Sequence, residues 1–239
     1  MDQNSISLRF NRNKRNNILP INSEQNLLIG LISSMKTGSF VDSLETGIEH
    51  GRLHQLLTQT PQLKQEAAIV EMLTFLRNEG ERTSYSILLP YLLAANDSRE
   101  VEAILRERFL GIELFIYRAH NLYCFLRQVH EKNILSIEKE DLKRGILAWD
   151  MGELVNWARI AYETGYIDEK AAWEYIKLAG EQCRQTFRNW EEIGKSYLIG
   201  QAMVTNKKEE TDRTIRCFFL ATQSENSPWK QNYLSLSTT

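Results

Sequence analysis

Only four prolines and twelve glycines punctuate a chain of 239 residues, and between them apolar side chains recur at three- and four-residue spacing. That pattern confines the chain to amphipathic helices, because strands would need alternation at every second residue. It predicts an all-α fold: a compact multi-helix domain of about eight to ten helices with no substantial sheet. The expected helices include 23–36, 40–58, 83–95 and 137–147 in the first half. Three consecutive ones follow in the second, at about 149–164, 168–188 and from 190 onward. The run TNKKEET, 205–211, has no apolar residue and is expected to be an exposed loop. No repeat of roughly 33 to 47 residues is visible, which argues against a solenoid.

Helix-start signals recur along the chain. Thr60 is followed by Pro61, Asp97 by Glu100 three residues on, Asp168 by Glu169, and Asn189 by Glu192. Each side-chain oxygen can accept from an unpaired first-turn amide, and the acids that follow complement the positive helix end. Residues 1–20 read as a mobile basic arm carrying Arg9, Arg12, Lys14 and Arg15. Residues 21–147 form an N-terminal helical region, and 148–239 a second one expected to share its core.

The charge balance of 29 basic against 31 acidic residues speaks against a surface tuned for nucleic acid, leaving only the arm for such contacts. Cys124, Cys183 and Cys217 are odd in number and far apart, so they make neither a disulfide framework nor a zinc pair. Reduced thiols in a cytoplasm are the plain reading. The first twenty residues lack an apolar signal core, and no stretch approaches the roughly 18 apolar residues of a membrane span. The chain is therefore expected to be soluble, intracellular and free of membrane contact. No phosphate-binding glycine loop, nucleophile elbow or Cys–His spacing is present. His50 and His54 share a helical face, but HGRLH lacks the glutamate of a zinc protease motif, and no metal or cofactor is expected.

The informative region is 148–203, dense in Trp, Tyr and small residues. Two charges interrupt its apolar context, Asp150 beside Trp149 and Arg159 between Ala158 and Ile160. Nine residues at about 100° each put them on opposite sides of a helix, so each needs a partner on a different neighbour. On a functional reading, Asp150, Glu153, Arg159 and Tyr197 line a cleft walled by tryptophans such as Trp173 and Trp190. On a structural reading, Asp150 caps or ties helices, Arg159 pairs with Glu163, and the tryptophans are core. Gly194 and Gly200, costly inside a helix, point to a tight crossing.

Here the chain resembles a bacterial family known as domain of unknown function 1266. The resemblance rests on Trp149-Asp150-Met151-Gly152, Arg159, Gly165-Tyr166-Ile167 with Glu169 and Ala172-Trp173, and then Trp190, Glu192, Gly194, Ser196-Tyr197 and Gly200, with Ser227-Pro228-Trp229 near the end. It covers about residues 148–229. It departs from the family pattern at Glu153, where a basic residue is usual, and at Asn189, where Ser is usual. The first departure would replace an acid–base pair by two neighbouring carboxylates. The resemblance implies a helical fold and a region of interest, and carries over no catalytic residue.

Two functions follow as expectations. The preferred one is a non-enzymatic protein-interaction or regulatory module, with a protein partner at the Trp/Tyr-rich region and anchors including Trp229 and Tyr233 in an exposed terminal segment. The alternative is an enzyme or toxin-like effector with an acidic-aromatic cleft around Asp150, Glu153 and Tyr197.

Overall fold

Three of the helix-start signals do what their chemistry implies. Asp97 accepts the Arg99 and Glu100 amides at 2.8 and 2.9 Å, Asp168 the Ala171 amide at 2.7 Å, and Asn189 the Glu192 amide at 2.9 Å. The computed structural model describes residues 6–12, 20–59, 66–94, 97–109, 112–205, 207–231 and 234. The fourth signal, Thr60-Pro61, lies outside them.

Thirteen helices are seen among the described residues, the last a single turn, and no sheet beyond one parallel bridge between Arg9 and Phe40. In chain order they are α1 Ile21–Leu28, α2 Leu31–Thr37, α3 His50–Gln59, α4 Glu66–Asn78, α5 Gly80–Ala94, α6 Ser98–Arg108 and α7 Glu113–Glu131. Then come α8 Lys139–Arg144, α9 Leu147–Glu163, α10 Glu169–Thr186, α11 Trp190–Val204, α12 Lys208–Gln223 and α13 Pro228–Gln231. The fold is all-α. The count exceeds eight to ten in part because the first expected helix breaks at Ile29–Gly30 into α1 and α2, and because the single turn α13 adds one more.

Two boundaries correct the sequence reading. The expected helix over 40–58 begins only at His50. In the irregular stretch 40–49 the Phe40, Leu44 and Glu45 carbonyls are turned onto Arg159, a long-range demand that periodicity does not report. The expected loop at 205–211 is already helical from Lys208, where Glu209 and Glu210 sit in the first turn and Lys208 pairs with Asp212 one turn on.

Helix α9 is the hub. It packs against α10, α11, α4, α2 and α5, and even its polar residues Asp150, Asn156 and Arg159 are buried. Helix α11 lies alongside it and in turn meets α12, α7 and α8. The crossing is as close as the glycines imply: a Cβ added at Gly200 would lie 2.4 Å from Trp149 Cβ, and one at Gly194 2.6 Å from the Phe218 ring. One apolar cluster runs from Leu27 through Leu73, Leu122 and Val155 to Trp229. Residues 6–12 lie along the irregular 38–47 segment, where the Val41 amide donates to the Arg9 carbonyl at 2.8 Å and Arg9 stacks 5.1 Å over the Phe40 ring.

Candidate functional site

Asp150 is cut off from water and spent on the α4–α5 junction. Its Oδ1 accepts the Glu81 amide at 2.8 Å, and its Oδ2 accepts the Arg82 amide at 3.1 Å and Arg82 Nη1 at 2.9 Å. It is thus the N-cap of α5, supplied by another helix. Arg82 also donates to the Leu76 and Arg77 carbonyls, both at 2.8 Å, closing the end of α4. Gly80 permits this approach: its φ of +62° suits glycine, and a Cβ there would fall 2.2 Å from Asp150 Oδ2. Burial pushes the Asp150 carboxyl from 3.8 up to about 6, against the opposing pull of Arg82 and the amides.

Arg159 faces the opposite way and makes no ion pair among the described residues. Its Nε donates to the Leu44 carbonyl at 3.2 Å, Nη1 to Ser34 Oγ at 2.8 Å, and Nη2 to the Phe40 and Glu45 carbonyls at 2.7 and 2.9 Å. A guanidinium presents a planar fork of donors, which is what a loop of convergent carbonyls requires. The expected pairing with Glu163 does not form; Glu163 accepts the Thr46 hydroxyl instead. Burial lowers the Arg159 pKa to about 10, so the charge is kept at neutral pH.

Glu153 turns toward a third neighbour. Its Oε1 accepts the Tyr197 hydroxyl at 2.5 Å and the Ser33 hydroxyl, and those two hydroxyls lie 2.9 Å apart. Lys36 Nζ stands 3.5 Å from the Tyr197 oxygen and 5.6 Å from its ring centre, and donates to Gln201, which also takes the Trp149 Nε1 hydrogen at 3.3 Å. Burial, reinforced by the Glu153 charge, raises the Tyr197 phenol well above 10 and keeps it a donor. Asp150 and Glu153 therefore do not form neighbouring carboxylates. Of the expected cleft the structure assembles only Glu153 and Tyr197, with Ser33, Lys36 and Gln201 around them.

The tryptophans are also internally engaged. Trp190 stacks on Trp229 at 5.3 Å and 11°, and Trp229 Nε1 donates to the Leu28 carbonyl at 2.9 Å. Trp229 is 5% exposed, so the expected exposed anchor is buried; Tyr233 lies outside the described residues. Trp173 is half-buried on α10 and reaches Glu169 at 3.3 Å. Among the described residues no three His, Cys, Asp or Glu side chains gather around a point that could hold a metal ion, and no helix is long and apolar enough to cross a membrane.

Exposed apolar side chains also gather in sequence at the start of α7, outside the 148–203 region. Ile112, Leu114 and Tyr117, at the start of α7, are 44%, 52% and 42% exposed. Helix α5 runs antiparallel beside them. Arg118 reaches Ser84 at 2.6 Å, and Tyr91 meets Phe109 edge-on at 5.7 Å, with Phe109 meeting Phe115 at 5.2 Å. Exposed Ile87 falls between those two contacts on α5. Leu114 and Tyr117 share a face by their three-residue spacing, the one signal that could have found the patch.

No curated protein and no solved structure matches the chain. A family model does, over residues 62–233, taking in α4 to α13 and hence both Asp150 and its partners at the head of α5. By that match the chain belongs to the family described as protein of unknown function, DUF1266.

Proposed function

We propose that the protein is a non-enzymatic interaction module that binds another protein through the apolar face formed by Ile87, Ile112, Leu114 and Tyr117. The observation that carries this reading is that Ile112, Leu114 and Tyr117 stand exposed at the start of α7, where the half-buried aromatic cluster of Tyr91, Phe109 and Phe115 joins it to α5, the helix on which Ile87 is also exposed. Such a cluster gives a firm floor for anchors. Arg106 at the rim pairs with Glu102 and Glu113, at 2.9 and 3.1 Å, so the rim offers little net charge. That favours a partner presenting an apolar helix or strand face over a nucleic acid. Cys183 and Cys217 are buried free thiols, which fits the reducing cytoplasm as the place of action.

The test compares wild type with Leu114→Asp/Tyr117→Asp and with a control pair on another exposed apolar site, Val70→Asp/Phe75→Asp. A partner purified from native extract should bind wild type and the control alike and lose about 30-fold or more in affinity with the α7 variant. A partner that binds all three equally would show that the face is not used.

A further inference from the structure

His50 and His54 stand one turn apart on α3, both exposed, with their Nε2 atoms 3.0 Å apart. The stretch HGRLH lacks the catalytic glutamate of a hydrolytic zinc site. Chelation makes a smaller demand than hydrolysis. It requires two imidazole nitrogens at the separation of adjacent ligands on one ion, about 2.9–3.3 Å for metal–nitrogen bonds near 2.0–2.1 Å. The observed spacing falls in that interval.

Two features prepare the pair. On a neighbouring stripe of α3, Leu53 and Leu57 are each 2% exposed, so the helix is fixed to the core and its backbone is already ordered. The first turn is secured as well, with the Arg52 and Leu53 amides bonded to the Glu49 carbonyl at 2.9 and 3.0 Å. Without a metal, one ring donates its Nε2 hydrogen to the other. The rings meet edge-on at 84°, so a turn of one ring about its own side-chain bond, with its proton moved to Nδ1, brings both in-plane lone pairs onto a common point.

We infer that His50 and His54 form a two-point site for a borderline divalent transition ion, with Cu²⁺ bound more tightly than Ni²⁺ or Zn²⁺. The order follows from imidazole donors and the general affinity series for first-row ions. Two protein ligands leave the other coordination positions open to water or to a donor from another molecule.

The experiment titrates the untagged full-length chain with Cu²⁺ in the presence of glycine as a competing chelator. The chain has four histidines, so His120→Gln and His130→Gln serve as controls for His50→Gln and His54→Gln. One ion should bind per chain, and loss of either α3 histidine should weaken it about 100-fold, because the second ligand acts as an intramolecular one. Electron paramagnetic resonance of the bound Cu²⁺ should show two coupled imidazole nitrogens in wild type and one in either variant. Binding unchanged by both α3 substitutions, or dependent on only one of them, would overturn the inference. All four positions are solvent-exposed, and circular dichroism confirms that each variant is folded.

Discussion

Asp150 and Arg159 sit on the same helix, both buried, and the fold satisfies their charges in opposite ways. Asp150 meets a formal counter-charge, Arg82, together with two amides at a helix N-terminus. Arg159 hydrogen-bonds to neutral oxygens, three carbonyls and a hydroxyl, with the Glu163 and Asp42 charges beyond ion-pair distance. The partners also come from different parts of the chain. Those of Asp150 are Glu81 and Arg82, inside the family match, whereas those of Arg159 lie at 34–45, outside it. One end of α9 therefore stitches the family unit to itself, and the other holds the preceding segment onto it. A buried ion needs enough well-placed dipoles, and a countercharge is only one way to provide them.

The largest effect is expected where dipoles, and no contacting counter-ion, hold the buried charge. Arg159→Met would strand three carbonyls turned inward for the guanidinium, and should cost about 3–5 kcal/mol of stability. Denaturant unfolding would measure this. Hydrogen exchange would locate it, with faster exchange at the Phe40 and Val41 amides, which are bonded to the Thr46 and Arg9 carbonyls. Arg159→Lys should recover only part of the loss, since an ammonium cannot span four acceptors in a plane. Full recovery by lysine would mean that charge, and not the fork, is what the loop needs.

Asp150→Ala comes next, at about 2–4 kcal/mol, because it removes the cap of α5 and leaves Arg82 without its counter-ion. Its exchange signature should appear at the start of α5 and spare residues 40–47. If both variants loosened the same amides, the two ends of α9 would be one cooperative unit and the contrast drawn above would fail.

The comparison also has a pH axis. The folded Asp150 carboxyl titrates near 6 against an ordinary 3.8, so between those values the native state holds more protons than the unfolded chain. The Asp150 contribution to stability is therefore fully present below about 3.8 and is lost as pH rises through about 6, amounting to about 2–3 kcal/mol across that window. Asp150→Asn should remove this component of the stability–pH slope, whereas Arg159→Met should leave it in place, because Arg159 holds its charge throughout that range. Melting both variants at pH 4, 5, 6 and 7 tests the assignment; an unchanged slope in Asp150→Asn would place the titration elsewhere.

How much of this was legible in the sequence follows the range of the interactions. The caps at Asp97, Asp168 and Asn189 depend on neighbours within three residues, and the close crossings of α11 with α9 and with α12 showed themselves through Gly200 and Gly194. The family motifs directed attention to α9 and α11. The roles of Asp150 and Arg159 depend on residues roughly 70 to 125 positions away, and a helical pattern reports that a charge is buried without reporting what faces it. The irregular stretch 40–49 was read as helix for the same reason. Ser33, Lys36 and Gln201 carried no local signal at all, and they became visible only once α2 was seen to lie against α9 and α11.

That third polar contact supplies the smallest expected effect and the sharpest test of whether it is more than packing. Tyr197→Phe keeps the ring beneath Lys36 and removes the hydroxyl shared by Glu153 and Ser33. Because Glu153 is only half-buried and Ser33 still donates to it, the carboxylate does not lose its last partner, and the cost should be about 1 kcal/mol. Glu153→Gln should cost a similar amount, since an amide oxygen can accept the same two hydroxyl hydrogens. The two substitutions act on one hydrogen bond, so the double variant should cost less than the sum of the singles. Additive losses in denaturant unfolding would mean that Glu153 and Tyr197 are not coupled. The contact would then be incidental, and Asp150 and Arg159 would be the two acid or base side chains through which α9 is tied to its neighbours.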